Sequence, residues 1–190
     1  MLNSTRVAIP GGYKKHLGGM KMKQYPGEIS QLASFLYGIK NEIKKYVEIG
    51  VERGGTFFFI DSYLRRINPD FNESLGIDSS GKIEESIKRY QKKFPSCHFL
   101  LSRSADVEFP DDIDFCFIDG NHSYEGVKRD FEAVKNKAKY IGFHDIHFID
   151  NKVGVPRFWK EIKEDYTHVE FAASKDIFPV ALGIGVLKIH

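Results

Sequence analysis

Two acids and two histidines follow neighbouring apolar segments in the second half of the chain. Asp119 and His122 come directly after the apolar residues 115–118, and His144 and Asp145 end the next apolar run. A histidine titrates near neutral pH, so an imidazole held beside a substrate can act as a general base. If the two runs are adjacent strands, their ends bring the four side chains together. These four residues are the first candidates for catalysis.

An earlier turn is rich in glycine and follows the apolar residues 46–49. Gly50, Gly54 and Gly55 lie in this turn, and Glu48 stands at the end of the preceding strand. Glycine adopts backbone angles closed to other residues and lets a ligand approach the main chain at the start of a helix. Turns of this kind hold nucleotide-like cofactors in α/β proteins. An acid beside the turn favours a ligand with hydroxyl or ammonium donors and disfavours a pyrophosphate.

The spacing of this turn excludes two common cofactor motifs. Residues 48–55 contain neither the dinucleotide fingerprint G-x-G-x-x-G nor the phosphate loop G-x-x-x-x-G-K-[ST].

Asp78 ends the second predicted strand, where it could accept both hydroxyls of a ribose or cap the next helix. Ser104 and Asp106 follow the third strand, where they could contact an adenine edge or only form a turn.

The elements that must position these residues follow from the hydrophobic pattern. Short apolar runs alternate with longer segments of helical period, which predicts a doubly wound, mostly parallel α/β sheet with helices on both faces. The last two strands are joined by a short connection, residues 174–181, and should form a hairpin-like pair at one edge. The predicted strands are 45–50, 74–78, 98–102, 113–119, 140–144, 169–172 and 182–189, and the predicted helices are 26–39, 56–67, 82–94, 124–137 and 156–165.

Length and composition indicate one domain and give little hint of a charged partner. The chain has 190 residues with 42% hydrophobic content, which is enough for a single core. Lys and Arg number 28 against 26 Asp and Glu, so the overall charge gives no reason to expect a nucleic acid or an anionic membrane. Five basic residues precede the first acid, Glu28. We therefore predict a basic, glycine-containing arm over residues 1–25 and a single domain over residues 26–190.

The arm has two interpretations. It is either a solvated segment or a lid that binds an acidic acceptor.

The cysteines and the N-terminus bear on the cellular compartment of the protein. Cys97 and Cys116 lie inside apolar runs, which predicts buried, reduced thiols. The sequence shows neither a signal core nor a membrane span, so a cytoplasmic protein is expected.

Several segments together resemble a known family of enzymes. Residues 117–124, Asp130 and residues 142–145 closely resemble small S-adenosylmethionine-dependent methyltransferases that often modify sugars and other secondary metabolites. Residues 154–159 resemble the corresponding segment of cephalosporin-hydroxylase-like relatives, and the pattern E-x-G-x-x-x-G-G at residues 48–55 resembles the first motif of the methyltransferases. The resemblance extends from about Gln24 to the C-terminus. It implies a Rossmann-like fold with an antiparallel last strand.

The resemblance also implies a cofactor and a metal. Acids at the ends of the fourth and fifth strands bind Mg²⁺ in several relatives, and these positions correspond to Asp119 and Asp145. His144 stands where a second acid is common, so a softer divalent ion, or none, fits as well. The residues implied to bind S-adenosylmethionine are Glu48, Gly50, Gly54, Gly55, Asp78, Asp119 and, near adenine, Ser104.

The chemistry of this cofactor would determine what the protein must do during methyl transfer. Its methyl group is already activated on a sulfonium, so the protein must align an acceptor oxygen and remove the proton of that oxygen. His122 is the first candidate for the base and His144 the second, while a metal at Asp119 and Asp145 could instead lower the acceptor pKa.

The expected function is O-methylation of a small molecule such as a sugar or a natural-product intermediate. A non-catalytic or regulatory cofactor-binding domain of the same fold is the alternative. An NAD-dependent reductase is disfavoured by Glu48 and by the glycine spacing. Whether the chain forms a homo-oligomer stays open.

Overall fold

The computed structural model of the protein describes residues 22, 24–149, 153–172 and 182–190. Most of the predicted arm and the predicted connection at residues 174–181 lie outside these residues. The described strands are β1 (Lys45–Ile49), β2 (Glu73–Asp78), β3 (Cys97–Leu101), β4 (Ile113–Ile118), β5 (Ala138–His144), β6 (Thr167–Phe171) and β7 (Ile184–Lys188), and the described helices are α1 (Pro26–Gly38), α2 (Gly55–Ile67), α3 (Glu84–Gln91), α4 (Tyr124–Val134) and α5 (Val155–Ile162).

All seven described strands form one sheet in the order β3-β2-β1-β4-β5-β7-β6. Strands β1 to β5 run parallel, while β7 pairs antiparallel with both β5 and β6. The predicted doubly wound sheet, its hairpin-like edge and its antiparallel last strand are therefore confirmed. The strand order reverses between β1 and β4, where both strands end at the same edge. Open α/β sheets bind their ligands at such a point.

The strand sequences are apolar because helices cover the sheet on both faces. Successive residues of a strand point to opposite faces, so Phe115 and Phe117 of β4 pack with α1 and α2, while Cys116 and Ile118 pack with α4 and α5. Trp159 of α5 is buried in the second of these two cores. Both faces of the central strands are thus removed from water, and the polar residues concentrate at the strand ends.

Most element boundaries agree with the predictions to within three residues, and two of the differences have a local cause. Helix α3 begins at Glu84 because residues 81–83 form a separate 3₁₀ turn, and α5 ends at Ile162 because residues 163–165 form another. The predicted buried thiols are confirmed, since Cys97 and Cys116 are both free and buried. Among the described helices, none is long and apolar enough to cross a membrane.

Candidate active site

A cavity of about 720 Å³ opens at the carboxyl ends of β1, β2, β4 and β5. It extends from the turn after β3 on one side of the sheet to the residues after β5 on the other. Ser104 lines the first end and Asp145 the second, with Glu48, Gly50 and Asp78 between them. The topology therefore brings the predicted polar residues of five separate segments to one surface.

The glycine turn lets β1 and β4 approach each other closely. Gly50 and Gly54 have φ values of 93° and 84°, in the left-handed region that favours glycine. A Cβ atom on Gly50 would lie 2.2 Å from the carbonyl oxygen of Asp119. Gly50 and Gly55 line the cavity, whereas Gly54 packs against the ring of Phe58. The turn thus leaves the start of α2 open toward the cavity.

Glu48 is buried, with only 1% of its surface exposed, and lines the cavity. It accepts a hydrogen bond from the hydroxyl of Tyr46 on the same face of β1. The ring of Tyr46 stacks between Phe57 and Phe115, with centroid distances of 5.8 and 5.7 Å. Burial raises the pKa of Glu48 well above its ordinary value. This carboxyl is therefore a fixed hydrogen-bonding group that gains from a cationic or hydrogen-donating ligand.

Asp78 fastens the end of β2 to the glycine turn. Its Oδ2 accepts the backbone N–H of Glu52 at 2.6 Å, and its Oδ1 accepts the N–H of Ser80 at 2.6 Å. The second bond closes a local turn, since Ser80 follows Asp78 by two residues. A carboxylate has about four acceptor sites, so both oxygens can still accept hydroxyl groups from a ligand.

The two polar residues predicted after β3 have different surroundings. Ser104 lines the cavity and donates its hydroxyl to Asp130 Oδ1 at 2.6 Å. Asp106 is exposed and forms an ion pair with Arg103, whose Nε lies 2.7 Å from Asp106 Oδ2. Asp106 lies outside the described lining of the cavity, so Ser104 alone of these two residues faces the cavity.

The four candidates for chemistry converge at the other end of the cavity. His144 Nδ1 lies 3.1 Å from Asp119 Oδ1 and 3.3 Å from Asp145 Oδ1. His122 Nδ1 lies 2.8 Å from Asp145 Oδ2, and His122 Nε2 lies 3.5 Å from Asp119 Oδ1. We call these four residues the His-Asp cluster. Asp145 has a φ of 64°, rare for a residue other than glycine, and such strain is found at functional sites.

The neighbouring charges shift the proton affinities within the His-Asp cluster. Hydrogen bonds to Asp119 and Asp145 raise the pKa of His122 to about 10. Burial acts to lower the pKa of His144, but the charge and hydrogen bond of Asp119 outweigh it and raise that pKa to about 9. Burial acts to raise the pKa of Asp119, yet the two imidazoles hold it well below its usual range. The two carboxylates therefore favour the protonated form of both histidines.

The donor atoms of the His-Asp cluster suit a divalent cation. One ligand atom from each of Asp119, His144 and Asp145 lies within 4.8 Å of the other two. The His144 nitrogen beside both carboxylates is Nδ1, while its Nε2 is buried and has no hydrogen-bond partner among the described residues. An imidazole donor favours ions such as Zn²⁺ or Fe²⁺, whereas Mg²⁺ prefers oxygen ligands. The residues fit a divalent cation and suit a softer ion better than Mg²⁺.

Sequence reasoning gave no role in the site to two residues that line the cavity. Gln24, counted in the predicted arm, is buried and lines the cavity, where its Nε2 donates to Asp119 Oδ2 at 2.8 Å and its Oε1 accepts from the hydroxyl of Thr56. No periodicity or motif marks Gln24. Asp130 also lines the cavity. Its sequence signal is a polar residue on the buried side of an amphipathic helix.

Comparison with known proteins identifies the family of this chain. Residues 47–147, more than half of the chain, match the family model described as a methyltransferase domain. None of the curated proteins searched matches the sequence.

Solved structures resemble the chain in fold. An O-methyltransferase from Bacillus cereus in complex with SAH is 14% identical with a TM-score of 0.61, over 84% of this chain and 81% of the other. The O-methyltransferase TomG from Streptomyces achromogenes, involved in tomaymycin synthesis and in complex with SAM, is 13% identical with a TM-score of 0.61, over 93% and 86%. An rRNA methylase from Streptococcus thermophilus is 9% identical with a TM-score of 0.64, over 86% and 97%. At these identities the likeness concerns the fold alone.

Proposed function

Since the chain belongs to the methyltransferase-domain family, we propose that it transfers the methyl group of S-adenosylmethionine to an oxygen atom of a small molecule, such as a sugar or a natural-product intermediate. The predicted resemblance and the predicted enzyme class, an S-adenosylmethionine-dependent methyltransferase, are confirmed by this membership and by the fold. One observation carries the finer proposal. The glycine turn, Asp78 and the His-Asp cluster share a single cavity.

The cofactor end of the cavity matches the parts of S-adenosylmethionine in turn. The buried Glu48 suits the ammonium group of the methionine portion, since an unpaired positive charge offsets the burial of a carboxylate. Asp78 suits the ribose hydroxyls, and Ser104 lies where adenine would follow. The glycine turn leaves space for the part of S-adenosylmethionine that lies between these groups. That the Bacillus and Streptomyces proteins contain SAH and SAM supports this assignment.

The His-Asp cluster would serve the acceptor. S-adenosylmethionine supplies an activated methyl, so the protein needs to hold the acceptor oxygen in line with it and take up a proton. His122 is partly exposed and faces the cavity, as a general base must. Its raised pKa means that it must first lose the proton that Asp119 and Asp145 hold on it. A positively charged group bound beside Asp119 and Asp145 would weaken their attraction for this proton. The pKa of His122 would then fall toward neutral pH.

A divalent cation bound by Asp119, His144 and Asp145 would supply Lewis acidity that lowers the pKa of the acceptor hydroxyl. Gln24 would then orient Asp119, because its amide donates to Oδ2 of Asp119 while the imidazoles contact Oδ1.

A small-molecule acceptor is favoured over RNA by the charge of the protein. The net charge of +2 arises from 28 basic and 26 acidic residues, so the protein lacks the strong basic excess that binds a phosphate backbone. The likeness to an rRNA methylase is one of fold and does not outweigh this observation.

The test is transfer of a labelled methyl group from S-adenosylmethionine to a panel of hydroxylated small molecules and to RNA. With an active acceptor, His122→Ala should lower kcat by about 10²-fold or more while the affinity for S-adenosylhomocysteine changes little. His98→Ala, on the exposed edge strand β3, is the matched control. A loss of less than about threefold in His122→Ala would exclude the role of base.

Chelation separates the two routes to an activated acceptor. Activity that disappears with a chelator and returns with a divalent ion supports the cation, whereas unchanged activity removes it from the mechanism. Binding of S-adenosylhomocysteine without transfer to any acceptor would favour the alternative, a cofactor-binding domain without turnover.

A further inference from the structure

A buried carboxylate at the start of α1 uses one of its two oxygens. Glu28 lies in the first turn of α1 and is fully buried. Its Oε1 accepts the backbone N–H of Gly183 at 2.8 Å, a contact across 155 residues of sequence. Its Oε2 has no hydrogen-bond partner among the described residues. Because a buried acceptor without a donor is unfavourable, this oxygen gains from any donor that reaches it.

The sheet places this carboxylate next to His144. Gly183 directly precedes Ile184 of β7, and Ile184 is the cross-strand partner of His144 in β5. Opposed residues of antiparallel strands point to the same face of the sheet. Ile184 packs in one core with Ile29 of α1. The ring of His144 therefore lies on the face that α1 covers, at the level of the Glu28 carboxylate.

The two nitrogens of His144 have different surroundings. Nδ1 lies beside Asp119 and Asp145, whereas Nε2 is buried. Among the described residues, only four buried side-chain nitrogen or oxygen atoms lack a partner, and two of them are Glu28 Oε2 and His144 Nε2. Burial acts to lower the pKa of His144, and Glu28 is among the nearby charges that act to raise it. An acceptor and a nitrogen that can donate are thus neighbours, and each lacks a bond.

We infer that Glu28 is a positioning residue for the cation site, where its Oε2 accepts a hydrogen bond from the Nε2–H of His144. A neutral imidazole carries one proton, so a proton held on Nε2 leaves Nδ1 free to bind an ion. Carboxylates in this place fix the tautomer and the orientation of a metal-binding histidine. This role depends on the divalent cation of the proposed function. Glu28 lies outside the described lining of the cavity, so it acts on the site only through His144.

A purely structural role is the competing explanation. An acid in the first turn of a helix is favourable by itself, since it complements the helix dipole. The bond from Gly183 to Glu28 also ties α1 to the residue before β7. Both effects are satisfied by one oxygen, and they leave the other oxygen buried without a donor. The tests must therefore measure the cation site as well as stability.

Calorimetry with Zn²⁺ on chelator-treated protein tests the role of Glu28. Glu28→Gln keeps the shape of the side chain and an oxygen that accepts from Gly183, but it turns N–H donors toward Nε2 of His144. The proton of His144 would then favour Nδ1, the nitrogen that the ion needs. The affinity for Zn²⁺ should fall by about 10–100-fold, while the affinity for S-adenosylhomocysteine changes little. Glu125→Gln, in the exposed first turn of α4, is the matched control and should change neither affinity.

An NMR signal of His144 gives a readout that a structural role would not move. In the wild-type protein with Zn²⁺, the Nε2 proton should give a slowly exchanging, hydrogen-bonded signal. This signal should be lost in Glu28→Gln and retained in Glu125→Gln.

Other outcomes would overturn the inference. Equal Zn²⁺ affinities of wild type and Glu28→Gln, or equal losses of affinity for Zn²⁺ and S-adenosylhomocysteine in the variant, would reduce Glu28 to a structural contact. A wild-type protein that binds no Zn²⁺ would reject the cation itself, and the role of Glu28 with it. Methyl transfer is judged separately, by the binding of S-adenosylhomocysteine and the transfer of label.

A crystal structure of the wild-type protein with Zn²⁺ does not depend on whether the variant folds. Oε2 of Glu28 should lie within about 3.2 Å of Nε2 of His144. A longer distance, or an Nε2 bonded to another group, would reject the role of Glu28.

Discussion

The acidic side chains of the cavity have different partners, and these partners decide what each acid can do. Glu48 is held by the phenol of Tyr46, Asp78 by two backbone N–H groups, and Asp119 by two imidazoles and the amide of Gln24. The first two arrangements fix an acceptor in one orientation. In the third arrangement, the protonated histidines balance the negative charge of Asp119.

Tyr46→Phe tests the arrangement around Glu48. The substitution leaves a buried carboxyl without its donor, so the free energy of unfolding should fall by about 1–3 kcal/mol. Tyr140→Phe is the matched control, because the Tyr140 hydroxyl donates at 3.1 Å to Glu42, an acid whose side chain is 40% exposed. Urea denaturation of both variants measures the difference. A decrease for Tyr46→Phe no larger than that for Tyr140→Phe would contradict the assigned contact.

The raised pKa values of His122 and His144 predict how the stability of the chelator-treated protein depends on pH. Below about 6.5 the histidines are protonated in both the folded and the unfolded state, so the stabilisation is fully present. Between that pH and the folded pKa values of about 9 and 10, only the folded state keeps the protons. The free energy of unfolding should therefore fall as the pH rises from 6.5 to 9.

Urea denaturation at several pH values measures this slope. His122→Gln should reduce the decline, whereas His98→Ala, which removes a histidine from the exposed side of β3, should not. An equal decline in wild type and His122→Gln would show that the carboxylates do not hold the proton on His122.

Sequence reasoning identified the members of the His-Asp cluster because parallel strands deliver their carboxyl ends to one edge. It did not find Gln24, since a single amide outside any periodic pattern carries no sequence signal. It also left the roles of Asp106 and Ser104 open between an adenine contact and a turn, and only the resemblance implied Ser104 near adenine. Only their contacts, Arg103 for one and Asp130 for the other, separate an exposed ion pair from a residue of the cavity.

At the scale of the elements, the turn between β1 and α2 is the part on which the site depends most. Gly50 combines a positive φ with the close approach of Asp119, so no side chain fits there. Gly50→Ala should lower the free energy of unfolding by more than about 1 kcal/mol and weaken cofactor binding.

Gly38→Ala is the matched control for Gly50→Ala. Gly38 ends α1 and would have nothing within 4 Å of an added Cβ, so the substitution should leave stability equal or raise it by up to about 1 kcal/mol. Thermal denaturation and titration with S-adenosylhomocysteine check both variants. Equal behaviour of the two would show that the turn does not require its glycine.

The glycine turn could be predicted from the sequence, because the conformational freedom that the turn needs is a property of glycine itself. Helix ends were less accurate, since the 3₁₀ turns at residues 81–83 and 163–165 continue a helical period without being α-helix. The hydrogen bonds that separate the two forms differ by one residue in spacing, which a hydrophobic pattern does not resolve.

At the scale of the whole molecule, the alternation of apolar runs and amphipathic segments predicted a doubly wound sheet, and the structure confirms it. The position of β7 between β5 and β6 is not encoded in that alternation. Its antiparallel direction followed from the family resemblance instead. The identity of the acceptor is likewise absent from the pattern, because the fold fixes where a ligand binds and the side chains around it fix which ligand.

The central claim is that the cavity at the strand ends holds S-adenosylmethionine, and calorimetric titration with S-adenosylhomocysteine tests it most directly. The account predicts saturable binding that Asp78→Ala weakens by about tenfold or more, that Asp106→Asn leaves unchanged, and that NAD does not displace. No binding at saturating concentration, or binding of NAD in its place, would contradict it.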